Sequence, residues 1–159
     1  STLLALKDHQ LPMPACAYML SPLLDVSDQA PSRWKNAATD PALPAPSRRA
    51  INPRPLYLGG NDPSDPMVSP INGNFTGWPP MYIQVSDREM LLDDSLRLAR
   101  RCHTHDVSVN VDIWRKVPHV WQAFAFLPES SEALQKAAGF LQDHVGNKTL
   151  NGQRNYVSG

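Results

Sequence analysis

The stretch from Met81 to Trp114 constrains the fold more than any other part of this chain. "MYIQVS" is a short apolar run held between Pro79–Pro80 and an acidic turn, the pattern of a buried strand over Met81 to Val85. "LLDDSLRLARRCHTH" follows, with Leu92, Leu96, Ala99 and Cys102 recurring at three- and four-residue steps on one helical face. Arg97, Arg100 and Arg101 fall on the wetter side. In "VSVNVDIW" the period changes to two, so Val107, Val109, Val111 and Ile113 face a core and their neighbours face away. Strand, helix and strand in that order form a crossover, and a crossover implies parallel strands with helices covering the sheet.

The flanking segments extend the alternation. "STLLALKDHQ" puts Leu3, Leu4 and Leu6 ahead of a polar run, as in the last turns of a helix. No capping residue precedes it beyond Ser1 and Thr2, so the natural domain is expected to continue upstream. "ACAYMLSPLLD" reads as a buried strand running into a loop. Residues 25–80 carry much of the chain's 16 prolines and little periodicity, which predicts a loop-rich excursion with a short helix around Ser47 to Leu58. So long an excursion in a compact domain is expected to carry part of a binding site or cap. "PESSEALQKAAGFLQDHV" predicts a terminal helix capped by Ser130 or Ser131, with Leu134, Ala138, Leu141 and Val145 on its buried face. The whole is an α/β chain with parallel strands and crossover helices. Three strands are few for such a sheet, and the rest are expected upstream of Ser1 or on a partner chain.

Charge and composition remove several function classes. Lys plus Arg and Asp plus Glu number 15 each in 159 residues, which leaves no electrostatic footprint for nucleic acid. No apolar run approaches a membrane span, so a soluble protein is expected, with a homodimer possible. The sequons at Asn74 and Asn147 leave secretion open beside a cytoplasmic location. Cys16 and Cys102 form no metal pattern and read as two reduced, buried thiols in preference to a single disulfide. His103 and His105 have no third ligand at suitable spacing, so no metal is expected. Asp93 and Asp94 stand in the first turn of the central helix and read as caps. "YLGGNDP" is a turn, and Trp34 and Trp78 lie in loops, where each needs packing, the favoured reading, or a ligand to cover it.

Catalytic groups in an open parallel sheet sit just beyond the carboxyl ends of strands. "SDRE" leaves one strand end and "KVPHVW" leaves the next, so a carboxylate and His119 can meet across the strand edge. One imidazole nitrogen would be held by the acid and the other left free as a base. A histidine in an aromatic cluster can equally be a core residue. Trp121 and Phe124, with Phe126, can line a pocket beside it or belong to the core.

"LLALKDHQLPMPACAYMLSPLLD", "YLGGNDPSDPMVSP", "GWPPMYIQVSDREMLLDDSLRLARR" and "VNVDIWRKVPHVWQAF" together resemble the C-terminal half of α/β-hydrolases of the hormone-sensitive lipase type. The resemblance runs from about Thr2 to Val145 and rests on separated motifs in the right order. It implies that residues 1–159 are the C-terminal portion of one hydrolase domain, with 81–145 carrying acid and histidine. It implies a carboxylic ester or lactone hydrolase that needs no cofactor, acts on a small hydrophobic substrate and is completed by an N-terminal half. His119 matches the family's catalytic histidine. The acid stands thirty residues earlier in many members, and 119 − 30 = 89 points to Glu89, ahead of Asp87 and Asp93. The family's nucleophile lies in a G-x-S-x-G turn, and these 159 residues contain none. Two other readings stay open: a non-hydrolytic relative that binds a small molecule, or an acid–base enzyme performing elimination or a similar step.

Overall fold

A computed structural model describes residues 1–27, 29–41 and 58–146. The expected helix around Ser47–Leu58 and the sequon at Asn147 lie largely or wholly outside these residues. Helix α1 (Thr2–Asp8) leads to strand β1 (Ala17–Leu20), and a single turn, α2 (Ser32–Lys35), follows in the proline-rich excursion. Strand β2 (Met81–Ser86), helix α3 (Leu92–His103), strand β3 (Val109–Trp114) and helix α4 (Pro128–Val145) complete the described chain. Short 3-10 turns occupy Pro70–Asn72 and Trp121–Ala123.

The three strands pair in the order β1-β2-β3, all parallel, with Met81 opposite both Ala17 and Val109. Every residue of β2 is buried, as a central strand covered on both faces requires. On one face Met81 and Ile83 join Leu98 and Cys102 of α3, Leu4 of α1, and the loop residues Ile71, Phe75 and Trp78. On the other, the Gln84 amide donates to Ala133 O of α4, and Val117, Trp121 and Ala133 form a second core. Both helices are needed, because a strand apolar on both sides must be shielded on both sides.

The structure corrects several expectations of burial. Strand β1 is half-buried, with Leu20 exposed, because its outer edge has no neighbour among the described strands. Ile113 is exposed, since β3 forms the opposite edge. In α3 the buried face is Asp94, Ser95, Leu98 and Cys102 rather than the Leu92–Leu96–Ala99 face. In α4 it is Ser130, Ala133 and Ala137, while Leu134, Leu141 and Val145 are exposed. Apolar periodicity located both helices but not their rotation, because buried serine and aspartate carry no apolar signal. Neither Ser130 nor Ser131 caps α4: Leu127 is the N-cap, Pro128 opens the helix, and the Ser130 hydroxyl donates to Gln122 O.

Asp93 and Asp94 stand in the first turn of α3, as expected, but Leu91 is the N-cap and neither carboxylate makes a capping hydrogen bond. Asp93 accepts the Ser32 N–H at the start of α2. Asp94, wholly buried, accepts the N–H groups of Leu24 and Asp25 and pairs with Arg33 at 3.0 Å. Burial pushes the Asp94 carboxyl above its ordinary range, against the pull of Arg33 and the two N–H groups. Burial acts the same way on Asp25, but hydrogen bonds from Ser27 and Arg97 together outweigh it and bring that carboxyl below its usual value. These charges tie the excursion to α3. Asp94→Ala, which strands the Arg33 guanidinium and two N–H groups, is expected to cost about 3 kcal/mol in urea unfolding.

Both cysteines are free, Cys102 buried and Cys16 only half-buried, which corrects the expectation of two buried thiols. Burial pushes the Cys102 thiol up to about 11. A thiol reagent at neutral pH is expected to label Cys16 in the native protein, and Cys102 only after unfolding.

Candidate active site

The carboxyl ends of all three strands contribute to one cluster. From the turn after β2, Glu89 is fully buried, and its Oε2 lies 2.7 Å from Nδ1 of His119 in the loop after β3. Its other oxygen, Oε1, accepts the Ser86 N–H at 2.8 Å and the hydroxyl of Ser21, just past β1, at 2.7 Å. Three donors therefore converge on one carboxylate, which compensates its removal from water. The His119 side chain keeps about a quarter of its surface, 23%, and the ring makes no hydrogen bond to any other described residue. With Nδ1 engaged by the acid, Nε2 is the nitrogen available to a substrate or nucleophile.

Two further contacts lock the acid turn to the histidine loop. The Ser86 hydroxyl donates to Val117 O at 2.6 Å, and Asp87 Oδ1 accepts the Lys116 N–H at 2.9 Å. From the excursion, the Asn36 amide donates to the carbonyls of both Asp87 and Glu89, and Asp40 accepts the Met90 N–H. Backbone strain gathers here: Ser21, Lys116 and Val120 have φ of 42°, 61° and 51°. A left-handed conformation costs a non-glycine residue about 1–3 kcal/mol and persists only where its surroundings over-determine it.

The three candidate acids thus take separate positions. Glu89 meets His119, the Asp87 carboxylate holds the Lys116 N–H, and Asp93 is engaged with Ser32. Trp121 is fully buried and packs against Val117 and Ala133, as in the core reading of its two. Phe124 is partly exposed and lies against the largely exposed Phe126, their rings tilted by 50°. A separate apolar cavity of about 200 Å³, lined by Leu3, Met19, Leu24, Phe75 and Trp78 among others, shares no residue with the cluster. Among the described residues no group of His, Cys, Asp and Glu could hold a metal. No described helix is long and apolar enough to cross a membrane.

Sequence reasoning missed Ser21, Ser86 and Asn36. In the sequence the first two are only strand ends and the third stands in the loop-rich excursion. Only "SP" at Ser21–Pro22, a strand stop placed level with the acid turn, carried any signal.

Comparison with known proteins places the fold in a family. A family model for the alpha/beta hydrolase fold matches residues 1–123. An acetyl-hydrolase of Streptomyces hygroscopicus is 34% identical over 92% of this chain and 48% of its own length. An esterase of Acinetobacter venetianus is 33% identical over 86% of this chain and 45% of its own. Among solved structures, an esterase from the bacterial hormone-sensitive lipase family superposes with a TM-score of 0.85 at 36% identity, covering 91% of this chain and 48% of that one. A hormone-sensitive lipase from a metagenome library gives 0.84 at 32%, over 90% and 49%. The chain spans about half the length of the relatives it matches.

Proposed function

The chain belongs to the alpha/beta hydrolase fold family, and from that premise we propose that it supplies the acid and base of a carboxylic ester hydrolase of the hormone-sensitive lipase type. The observation that carries this reading is the 2.7 Å contact between buried Glu89 and Nδ1 of the part-exposed His119. A serine outside these 159 residues would be the nucleophile. Nε2 of His119 would take its proton as it attacks the ester carbonyl, and return that proton to the departing alcohol. Glu89 would fix the tautomer and stabilise the imidazolium formed in between. The substrate would be a small, fairly hydrophobic ester or lactone, in keeping with the absence of net charge and the partly exposed Phe124.

A complementary N-terminal half is the proposed partner. The edge of β1, unpaired among the described strands, and the exposed Leu134, Leu141 and Val145 of α4 are surfaces such a half could cover. The test joins this chain to that half and treats the product with a serine-directed fluorophosphonate. Labelling of one serine together with hydrolysis of p-nitrophenyl butyrate is the expected result. Absence of both, in a folded assembly, would favour a binding protein or an acid–base enzyme without an acyl intermediate.

A further inference from the structure

We propose that Ser21 is a positioning residue for the acid, its hydroxyl fixing Oε1 of Glu89 so that Oε2 stays aimed at His119. This rests on reading Glu89 and His119 as acid and base. Torsion about the last bond of a glutamate side chain is broad, so burial alone does not set the plane of its carboxylate. The Ser86 N–H anchors Oε1 from the acid's own turn, 2.8 Å away, and leaves rotation about that contact open. The Ser21 hydroxyl reaches the same oxygen from β1, a different strand, at 2.7 Å. Two donors on one oxygen, in two directions, define where the other oxygen points.

Ser21 has no other evident reason to carry a hydroxyl. It is 3% exposed, its N–H donates to Gln84 O, and its φ of 42° is one that glycine adopts more readily than serine. A turn needed only for its shape would be served as well by glycine. The hydroxyl is what serine adds, and its proton goes to Glu89.

That contrast supplies the experiment. Ser21→Ala removes the hydroxyl and keeps the strain, whereas Ser21→Gly removes the hydroxyl and relieves it. Both are made in the ester-hydrolysing protein and assayed on p-nitrophenyl butyrate. Both are expected to lower kcat about ten- to a hundredfold with KM within about twofold, the size of loss seen when a supporting hydrogen bond to a catalytic group is removed. Ser21→Gly is expected to unfold at the same urea concentration as the parent or a higher one. In a Glu89→Ala background, Ser21→Gly should change kcat no further.

Full kcat in Ser21→Gly, beside a large loss in Glu89→Gln, would overturn the role of Ser21 and leave the acid–base reading standing. Full activity in Glu89→Gln itself would remove that reading. An equal loss from Ser21→Gly with and without Glu89 would show that Ser21 does not act through the carboxylate, and failure of both variants to fold would assign the hydroxyl to the turn. Either result overturns the proposal.

Discussion

His119→Ala is expected to lower kcat on p-nitrophenyl butyrate about 10⁴- to 10⁶-fold in the protein that carries the serine, with KM nearly unchanged. Without the imidazole, the serine hydroxyl has no acceptor for its proton at neutral pH, and the leaving alcohol has no acid. Substrate binding before chemistry does not need either group, which is why the loss falls on kcat. The fold should survive. His119 is only part-buried, and Glu89 keeps its donors Ser86 N–H and Ser21 Oγ, so the carboxylate loses one of three partners. A modest loss of unfolding free energy in urea, of about 1–2 kcal/mol, is the expected cost. A variant that retains more than about a hundredth of the parental kcat would mean that another group takes the serine proton.

The parts of this molecule that could be read from sequence are those fixed by local pattern. The change from helical to alternating period between Leu92 and Trp114 gave the crossover and the parallel pairing of β2 with β3. Placement at strand ends brought "SDRE" and "KVPHVW" together, while only the resemblance to a family whose acid stands thirty residues before its histidine pointed to Glu89 over two neighbouring aspartates. What could not be read depends on contacts between distant segments. Asp94 is buried because a loop seventy residues earlier turns two N–H groups toward it, and nothing near Asp94 announces that. The rotations of α3 and α4 were misjudged for the same reason, their buried faces including Ser95 and Ser130. Ile113 and β1 lie nearer the surface than expected because neither alternation nor a short apolar run says whether a strand is at an edge. The site itself shows both cases: histidine and acid come from motifs, whereas Ser21 and Asn36 reach the acid turn from 68 and 53 residues away.

Glu89→Gln tests the orientation of the imidazole more sharply than removal of the side chain would. Glutamine is nearly isosteric, so packing is preserved and stability should change by less than about 1 kcal/mol. Its two terminal atoms are no longer equivalent. The site of Oε1 receives two donors, the Ser86 N–H and the Ser21 hydroxyl, so the amide oxygen must occupy it. The NH₂ group is then forced onto the position that faces Nδ1 of His119, where it can only donate. Nδ1 must accept, which places the ring proton on Nε2 and leaves the nitrogen facing the serine unable to take a proton. A histidine held in the wrong tautomer is expected to lower kcat about 10⁴-fold, with KM little changed. Raising the pH would not restore it, because the tautomer is set by hydrogen bonding rather than by titration. A loss smaller than about tenfold would show that Glu89 merely packs beside the histidine, and the acid would have to be sought elsewhere.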